Sequence, residues 1–452
     1  MWQLDEVIRA VEGTALHTAQ GSFTGISTDS RTIQEGELFV PLKGPRFDGH
    51  AFIGEAFLRG AAGSLCDKGR ESELRGAAGT VILVADANEA LLDLARDRRA
   101  RIGATFIALT GSNGKTTTKE LLARMMETTF PVAYNQRNYN NRIGVSQTLL
   151  GIESDPAFFI MELGTNHKGE IAELAALVKP DMSLITNVNP SHLQGLGDLD
   201  GVYREKTDLF RATKEGGAIF INKDDPLLAC YKPESRIHTH RFSMLTKAES
   251  TLDILEDKGL LGFDISLKLG KETVTTSTPL LGRHNLANIL AAAAVAHQSG
   301  AGADNIGKAI EGFQPYAGRF RSMESTRGYT VIDDTYNANP ASMEKAVATL
   351  VGLPCKGKKI VILGDMKELG EETAYYHREL GRMLAKADIP LTLLLGDQIR
   401  VVQDEVKNGR VFFFQESSAL LRHALEAAEK DDIILVKGSR ALRMDDIVEG
   451  LL

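Results

Sequence analysis

Apolar residues along the chain follow two rhythms, and the points where one gives way to the other mark its organisation. The first hundred residues mix short helical and strand patterns and end in a charged helix, 88–101, whose ARDRRAR run reads as solvated and linker-like. A boundary is expected near residue 102. The apolar run 104–110 then predicts a buried strand, and GSNGKTTTKELLARMME changes the period from 2 to 3.6, as a glycine-rich turn feeding a helix does. Apolar strands at 157–162, 182–188 and 218–222, separated by helical patterns, describe a mostly parallel sheet covered by helices. Between 236 and 281 strict alternation takes over, and an antiparallel extension of that sheet is expected. A long alanine-rich helix, 285–298, follows. Beyond GRFR at 318–321 a second βα alternation begins, with strands at 330–333, 359–363, 391–395, 411–414 and 433–436. This is a Rossmann-like pattern, although no GxGxxG follows its first strand.

The fold class predicted is therefore α/β in three domains. Residues 1–101 form a smaller α/β domain, 102–316 a central phosphate-loop domain with a mostly parallel sheet and helices on both faces, and 317–452 a C-terminal Rossmann-like domain. The length of 452 residues agrees, since a domain takes roughly 100 to 200. With 52 Lys+Arg against 60 Asp+Glu, the formal net charge is -8, which argues against a nucleic-acid backbone as partner. Cys66, Cys230 and Cys355 lie far apart with no CxxC pairing, so neither a disulfide framework nor a thiolate metal site is indicated; reduced, mostly buried thiols are expected. The N-terminal MWQLDEVIRAVEG lacks the basic start and apolar run of a signal peptide, and no segment reaches the length of a membrane span. A cytoplasmic protein is expected.

The strongest chemical signal is Thr110-Gly111-Ser112-Asn113-Gly114-Lys115-Thr116-Thr117, because glycines let backbone N–H groups close around phosphate oxygens at a helix N-terminus. Lys115 would reach the β- and γ-phosphates, and Thr116 would offer a hydroxyl to Mg²⁺. Leu109 stands where the first glycine of GxxxxGK[ST] belongs, so the loop is a shortened variant. Glu162 ends one apolar strand and His192 follows another. Both are placed where open α/β sheets hold ligands, and each can coordinate a hard cation, although a histidine there can equally cap or face solvent. Lys206, within YREKTDLF, has the look of an ordinary surface lysine. Asn285 and Asn288, three apart on one helical face, can read an adenine edge or simply cap the helix.

Taken together these segments resemble the ATP-dependent Mur ligases of peptidoglycan synthesis, over essentially the whole chain. TGSNGKTTTKE resembles their ATP loop, ELGTNHKGEIAEL and ITNVNPSHLQGLG their metal-binding segments, and GRHNLANILAA their adenine-binding helix. VIDDTYNANPASM, GDMKELG and LVKGSRALRM are similar to the member that joins D-alanyl-D-alanine to UDP-N-acetylmuramoyl-tripeptide; the DNPR motif of the member that adds the third amino acid is absent. ISTDSRTIQEGELFVPLKGPRFDGHAFIGEA resembles the UDP-binding domain these two members share.

The resemblance implies an amide-bond ligase in which ATP turns a carboxylate into an acyl phosphate. It implies two Mg²⁺ ions, one near Thr116 and Glu162 and another near His192, and a carbamate on Lys206 that adds an anionic oxygen to the second. Arg319 and Asp334 would contact the ribose and phosphates from the C-terminal domain. Tyr336, Asn337 and Asn339 would help hold the dipeptide, with a tight polar turn as the competing reading. Lys437 and Arg440 would meet a carboxylate or phosphate, or form a solvated basic turn. Ser30, Arg31, Asp48, Gly49 and His50 would recognise UDP, unless the DSR segment is a plain polar turn. A monomer acting on UDP-N-acetylmuramoyl-tripeptide and D-alanyl-D-alanine, with no nucleic-acid or membrane partner, is expected. Rival readings are the ligase adding the third amino acid, a folylpolyglutamate synthase, and a regulatory phosphate-loop NTPase that joins nothing.

Overall fold

The computed structural model describes residues 1–74, 79–136, 139–152, 155–407 and 410–452. Its centre is a nine-stranded sheet whose order is Val132–Tyr134, Phe158–Glu162, Thr105–Thr110, Met182–Ile185, Ala218–Asn222, His238–Ser243, Ser250–Asp257, Phe263–Leu269 and Glu272–Thr278. Strand Thr105–Thr110 has later strands on both sides, Phe158–Glu162 on one and Met182–Ile185 on the other, both parallel to it. That reversal of strand order opens a crevice at its carboxyl end, where doubly wound sheets bind ligands. Successive residues of this strand feed two different cores: Ile107 and Leu109 pack with the helix Arg283–Gln298, Phe106 and Ala108 with residues of the N-terminal region. An all-apolar strand is the consequence of burial on both faces.

The extension beyond residue 236 differs from expectation. His238–Ser243 runs parallel to Ala218–Asn222, and Ser250–Asp257 runs parallel to His238–Ser243; only the last two strands are antiparallel. The segment 223–237, with the short helix Pro226–Ala229, is long enough to cross over and return the chain in the same direction.

The N-terminal region carries a five-stranded sheet in the order Thr14–His17, Thr80–Val84, Gly63–Asp67, Leu38–Phe39, Ile26–Ser27. The helix that follows it, Ala87–Arg101, is not a solvated linker. Leu91, Leu94 and Ala95 are buried in one cluster with Leu65 and Ile82 on one side and Phe106, Met161 and Leu174 on the other. Arg99, within the basic run, is itself buried: its guanidinium lies 3.6 Å from the Phe106 ring centroid and donates to the carbonyls of Val178 and Lys179 at 2.5 and 3.1 Å. A guanidinium with its donors on backbone oxygens and its face on an aromatic ring can leave water where a lysine could not.

The C-terminal sheet has six strands, ordered Arg321–Glu324, Thr330–Asp334, Ile433–Lys437, Lys359–Gly364, Leu391–Leu395, Arg410–Phe414. Five are parallel; the edge strand Arg321–Glu324, absent from the sequence reading, is antiparallel. Apolar packing between this region and the central one is continuous, joining Ile185, Val188, Leu193 and Phe210 to Ile332, Met343 and Leu363. Of the three cysteines only Cys66 is buried, whereas Cys230 is exposed, against the expectation of mostly buried thiols. No helix among the described residues is long and apolar enough to cross a membrane.

Candidate active site

The shortened phosphate loop works because its two glycines occupy positions closed to other residues. Gly111 has φ +154° and Gly114 φ +80°, and a Cβ on them would lie 1.9 Å from Thr186 Oγ1 and 2.2 Å from Asn288 Oδ1. Leu109, in place of the usual first glycine, is still inside the strand and fully buried, so the turn begins only at Gly111. The loop is held from behind by the TNVN segment: Asn187 accepts from the backbone N–H groups of Ser112 and Asn113, both at 3.0 Å, and Thr186 Oγ1 donates to Asn113 O at 2.6 Å. Lys115, first residue of the following helix, donates its Nζ to Gly111 O at 2.8 Å. Burial pushes its ammonium below the usual lysine range, with Glu162 opposing the shift.

A cavity of about 580 Å³ opens over this loop, lined by residues of the central and C-terminal regions. Glu162 faces it from the end of its strand. Asn135 braces the Glu162 backbone, donating to its carbonyl and accepting from its N–H at 2.9 and 2.8 Å, and Asn140 Nδ2 donates to Oε1 at 2.8 Å. The other carboxylate oxygen, Oε2, is buried with no partner among the described residues. A buried carboxylate oxygen left bare in a cavity that the Thr116 hydroxyl also lines suits a hard cation such as Mg²⁺. Among the described residues no three or more His, Cys, Asp or Glu side chains cluster, so such an ion would draw its remaining ligands from the nucleotide, from water or from a modified side chain.

His192 also lines the cavity, with φ +52°, a costly conformation for a non-glycine residue. Its Nδ1 lies 2.6 Å from Glu368 Oε2, an ion-pair distance whose angle falls outside that of a hydrogen bond. His192 holds the Glu368 carboxyl below the usual range. Lys206 contradicts its surface reading, being 1% exposed in the helix Leu199–Arg211. It makes no hydrogen bond or ion pair among the described residues. Its neighbour Glu205 forms no ion pair with it, its carboxylate accepting from Gly169 N, Ile171 N and Thr165 Oγ1, although its charge partly opposes the effect of burial. Burial, reinforced by Lys115, drives the Lys206 amine far below the usual lysine range. Lys206 does not line the cavity.

Asn285 and Asn288 both border the cavity, and neither caps the helix, whose N-cap Gly282 receives no side-chain hydrogen bond. Asn285 Nδ2 donates to Leu281 O at 3.0 Å and Asn288 Nδ2 donates to Asn285 Oδ1 at 3.1 Å. Beside them burial drives the His284 imidazole down to about 3, with Lys345 and Lys437 adding to the effect, which keeps the ring neutral. The C-terminal region closes the cavity. Arg319 stacks 3.6 Å over Tyr336 and donates to Thr116 Oγ1 at 3.0 Å, and Asn339, the N-cap of helix Pro340–Gly352, donates to Asn113 Oδ1 at 2.8 Å. Lys437 is buried and donates to Asp334 Oδ2 at 2.7 Å and Asn337 O at 2.8 Å. Burial pushes the Asp334 carboxyl up, with Lys437 opposing.

Other expected residues lie elsewhere. Arg440 is on the surface, paired with Asp445, as the solvated-turn reading has it. Ser30, Arg31, Asp48, Gly49 and His50 are in the N-terminal region and do not line this cavity. Arg31 is exposed and paired with Asp29 at 2.7 Å. Asp48 caps the turn Gly49–Phe52 and pairs with Arg70, and His50 is buried between Asp48 and the Asp67 N–H. The side chains of Arg31, Asp48 and His50 are engaged with Asp29, Arg70 and Asp67 and with one another. The sequence reading gave no role to Asn140, Thr186, Asn187 or Glu368; the first three sit in amide-rich runs that begin directly after strands, and Glu368 lies in the GDMKELG segment that follows the strand 359–363.

Three family descriptions match the chain: the Mur ligase family catalytic domain over residues 22–99, the Mur ligase middle domain over 109–296 and the Mur ligase glutamate ligase domain over 318–440. The UDP-N-acetylmuramoyl-tripeptide–D-alanyl-D-alanine ligase of Bacillus subtilis is 33% identical over 436 residues, 95% of this chain and 93% of that one. A crystal structure of MurF from Acinetobacter baumannii superposes with a TM-score of 0.88 at 28% identity, covering 100% of this chain and 98% of that one. MurF from Thermotoga maritima in complex with ADP matches at a TM-score of 0.84 and 26% identity, over 94% of this chain and 96% of that one. The phosphate loop, the cavity closed over it by a Rossmann-like sheet, and this likeness along nearly the full length lead to one conclusion: the chain belongs to the Mur ligase family.

Proposed function

We propose that the protein joins D-alanyl-D-alanine to UDP-N-acetylmuramoyl-tripeptide, with ATP consumed and ADP and phosphate released. The observation that carries this reading is a phosphate loop whose hydroxyl and amide, Thr116 and Asn113, are reached from the C-terminal region by Arg319 and Asn339. A nucleotide bound there sits between two domains, as a reaction needing ATP and a second substrate requires. The relatives named for this activity match over almost the entire chain.

The tripeptide carboxylate takes the γ-phosphoryl group to become an acyl phosphate. The amine of the dipeptide then attacks the acyl carbon, forming the amide as phosphate leaves. Lys115 and the loop N–H groups hold the transferred phosphoryl, and Arg319 carries positive charge to it from the opposite wall. Mg²⁺, held by Thr116 and Glu162 with a second ion at His192, would neutralise charge on the phosphates. Burial favours the neutral amine of Lys206, the form with the lone pair needed to attack CO₂. Its nitrogen forms the N–C bond, loses a proton and becomes an anionic carbamate, which cancels the buried positive charge that Lys115 brings nearby. Tyr336, Asn337 and Lys437 supply polar groups on the wall where the dipeptide would enter. The N-terminal region, residues 1–101, would hold the UDP end, and the enzyme would work in the cytoplasm as a monomer.

The test is product analysis. ADP and phosphate release should require both the UDP-tripeptide and D-alanyl-D-alanine, with one amide formed per ATP. ATP hydrolysis independent of both would favour the regulatory NTPase, and turnover with a free amino acid and the UDP-dipeptide would favour the preceding ligase. Supplying UDP-tripeptides ending in lysine or diaminopimelate side by side identifies the accepted third residue.

A further inference from the structure

His192 and Glu368 come from different sheets, and both are held in left-handed backbone, φ +52° and +65°, which costs about 1 kcal/mol or more for a residue with a Cβ. Two such residues face each other with Nδ1 2.6 Å from Oε2. The backbones are tied as well, Gln194 N–H donating to Glu368 O at 3.1 Å, and the Glu368 loop is fastened to its own sheet by Lys367 N–H donating to Ser439 Oγ at 2.9 Å. His192 lines the cavity and Glu368 does not. One ring edge thus meets a carboxylate from the C-terminal region while the residue itself borders the nucleotide cavity.

We propose that Glu368 is a positioning residue for His192, its carboxylate accepting the Nδ1–H proton so that Nε2 carries the lone pair. A carboxylate can only accept, and a neutral imidazole has one N–H, so the pairing fixes the tautomer. The terminal torsion of Glu is soft, so the carboxylate is free to turn toward the ring N–H across this short contact. A lone pair on Nε2 is what a metal-ligating histidine requires, and carboxylate partners of such histidines commonly set it. What Nε2 holds rests on the ligase reading above; the tautomer does not. Because the carboxylate arrives on the C-terminal sheet, docking of that region orients a side chain belonging to the central one, coupling closure to completion of the cation site.

The experiment uses the full chain labelled with ¹⁵N-histidine, free of nucleotide and metal, at a pH where His192 is neutral, with His192→Gln supplying the assignment. The wild-type protein should show an unprotonated Nε2 and a protonated Nδ1. Glu368→Ala should move His192 toward the Nε2–H tautomer that imidazole prefers in water, and Glu368→Gln, whose amide oxygen still accepts, should retain the wild-type pattern. Glu368 is half exposed, so both variants should fold, which circular dichroism checks. The Mg²⁺ concentration for half-maximal turnover should rise about tenfold in Glu368→Ala with the KM for ATP little changed. A wild-type His192 protonated at Nε2, or a tautomer unaffected by Glu368→Ala, overturns the proposal. Failure of the ligase reading would show instead as absent dipeptide-dependent turnover in the wild-type protein, with the tautomer pattern intact.

Discussion

Lys206 is the residue whose chemistry changes most between sequence and structure. An exposed lysine can be deleted at a cost of about 1 kcal/mol or less. This one is buried without an ion pair among the described residues, and its neighbour Glu205 accepts from backbone N–H groups. Lys206→Ala should reduce turnover by orders of magnitude, and formate or acetate should restore part of it by returning a carboxylate oxygen, whereas methylammonium should not. Rescue by the ammonium alone, or a fully active variant, would remove Lys206 from the site. The same burial has a pH signature. The folded amine titrates below its unfolded value of 10.5, so between the two the unfolded chain binds a proton that the folded chain lacks, and stability rises with pH across that window. In CO₂-free buffer, Lys206→Met should flatten that rise in urea titrations. Gly114 supplies a second test at this scale. With φ +80° and Asn288 Oδ1 2.2 Å from any Cβ, Gly114→Ala should weaken nucleotide binding at least tenfold by calorimetry. Gly114→Ala with Asn288→Ala should recover only part, because the left-handed backbone remains.

At the scale of elements, the helix Ala87–Arg101 shows why charge patterning misleads. Its ARDRRAR run reads as solvated, yet Arg99 turns inward to bind two carbonyls of the central region and cover Phe106. Arg99→Leu keeps apolar bulk but leaves those carbonyls without their donor, and should destabilise the protein by about 3 kcal/mol. Chemical denaturation should show the loss as a lower midpoint with both regions still unfolding together, since Leu91 and Leu94 share a core with Met161 and Leu174. Separate transitions would mean that the helix is a tether and not part of that core.

The phosphate loop lies in the central region, whereas the residues expected to recognise UDP lie in the N-terminal one and do not line its cavity. Lys115→Ala should abolish turnover while leaving UDP-tripeptide affinity within about twofold, because the loop lies in the central sheet and the expected uridine contacts in the N-terminal one. A parallel loss of affinity in calorimetry would show that the two sites are one. Closure is visible in the cross-connections from the C-terminal region to the loop, Arg319 to Thr116 and Asn339 to Asn113.

Local chemistry made much of this protein legible without coordinates. The loop from Gly111 to Thr117 could be read because backbone cradling of phosphate needs glycines at fixed offsets from a Lys-Thr pair, and all of these are near neighbours in sequence. Buried parallel strands were legible because burial on both faces demands continuous apolar runs. Direction was not: whether His238–Ser243 returns parallel depends on the crossover before it, not on its own alternation. Burial of single polar side chains escaped for the same reason, since Lys206, Arg99 and His50 carry no mark of the neighbours that enclose them. The pairing of His192 with Glu368 lay furthest from reach. The two lie far apart in sequence and meet only because the loops after Met182–Ile185 and Lys359–Gly364, strands of different sheets, face each other, an arrangement that belongs to tertiary packing alone.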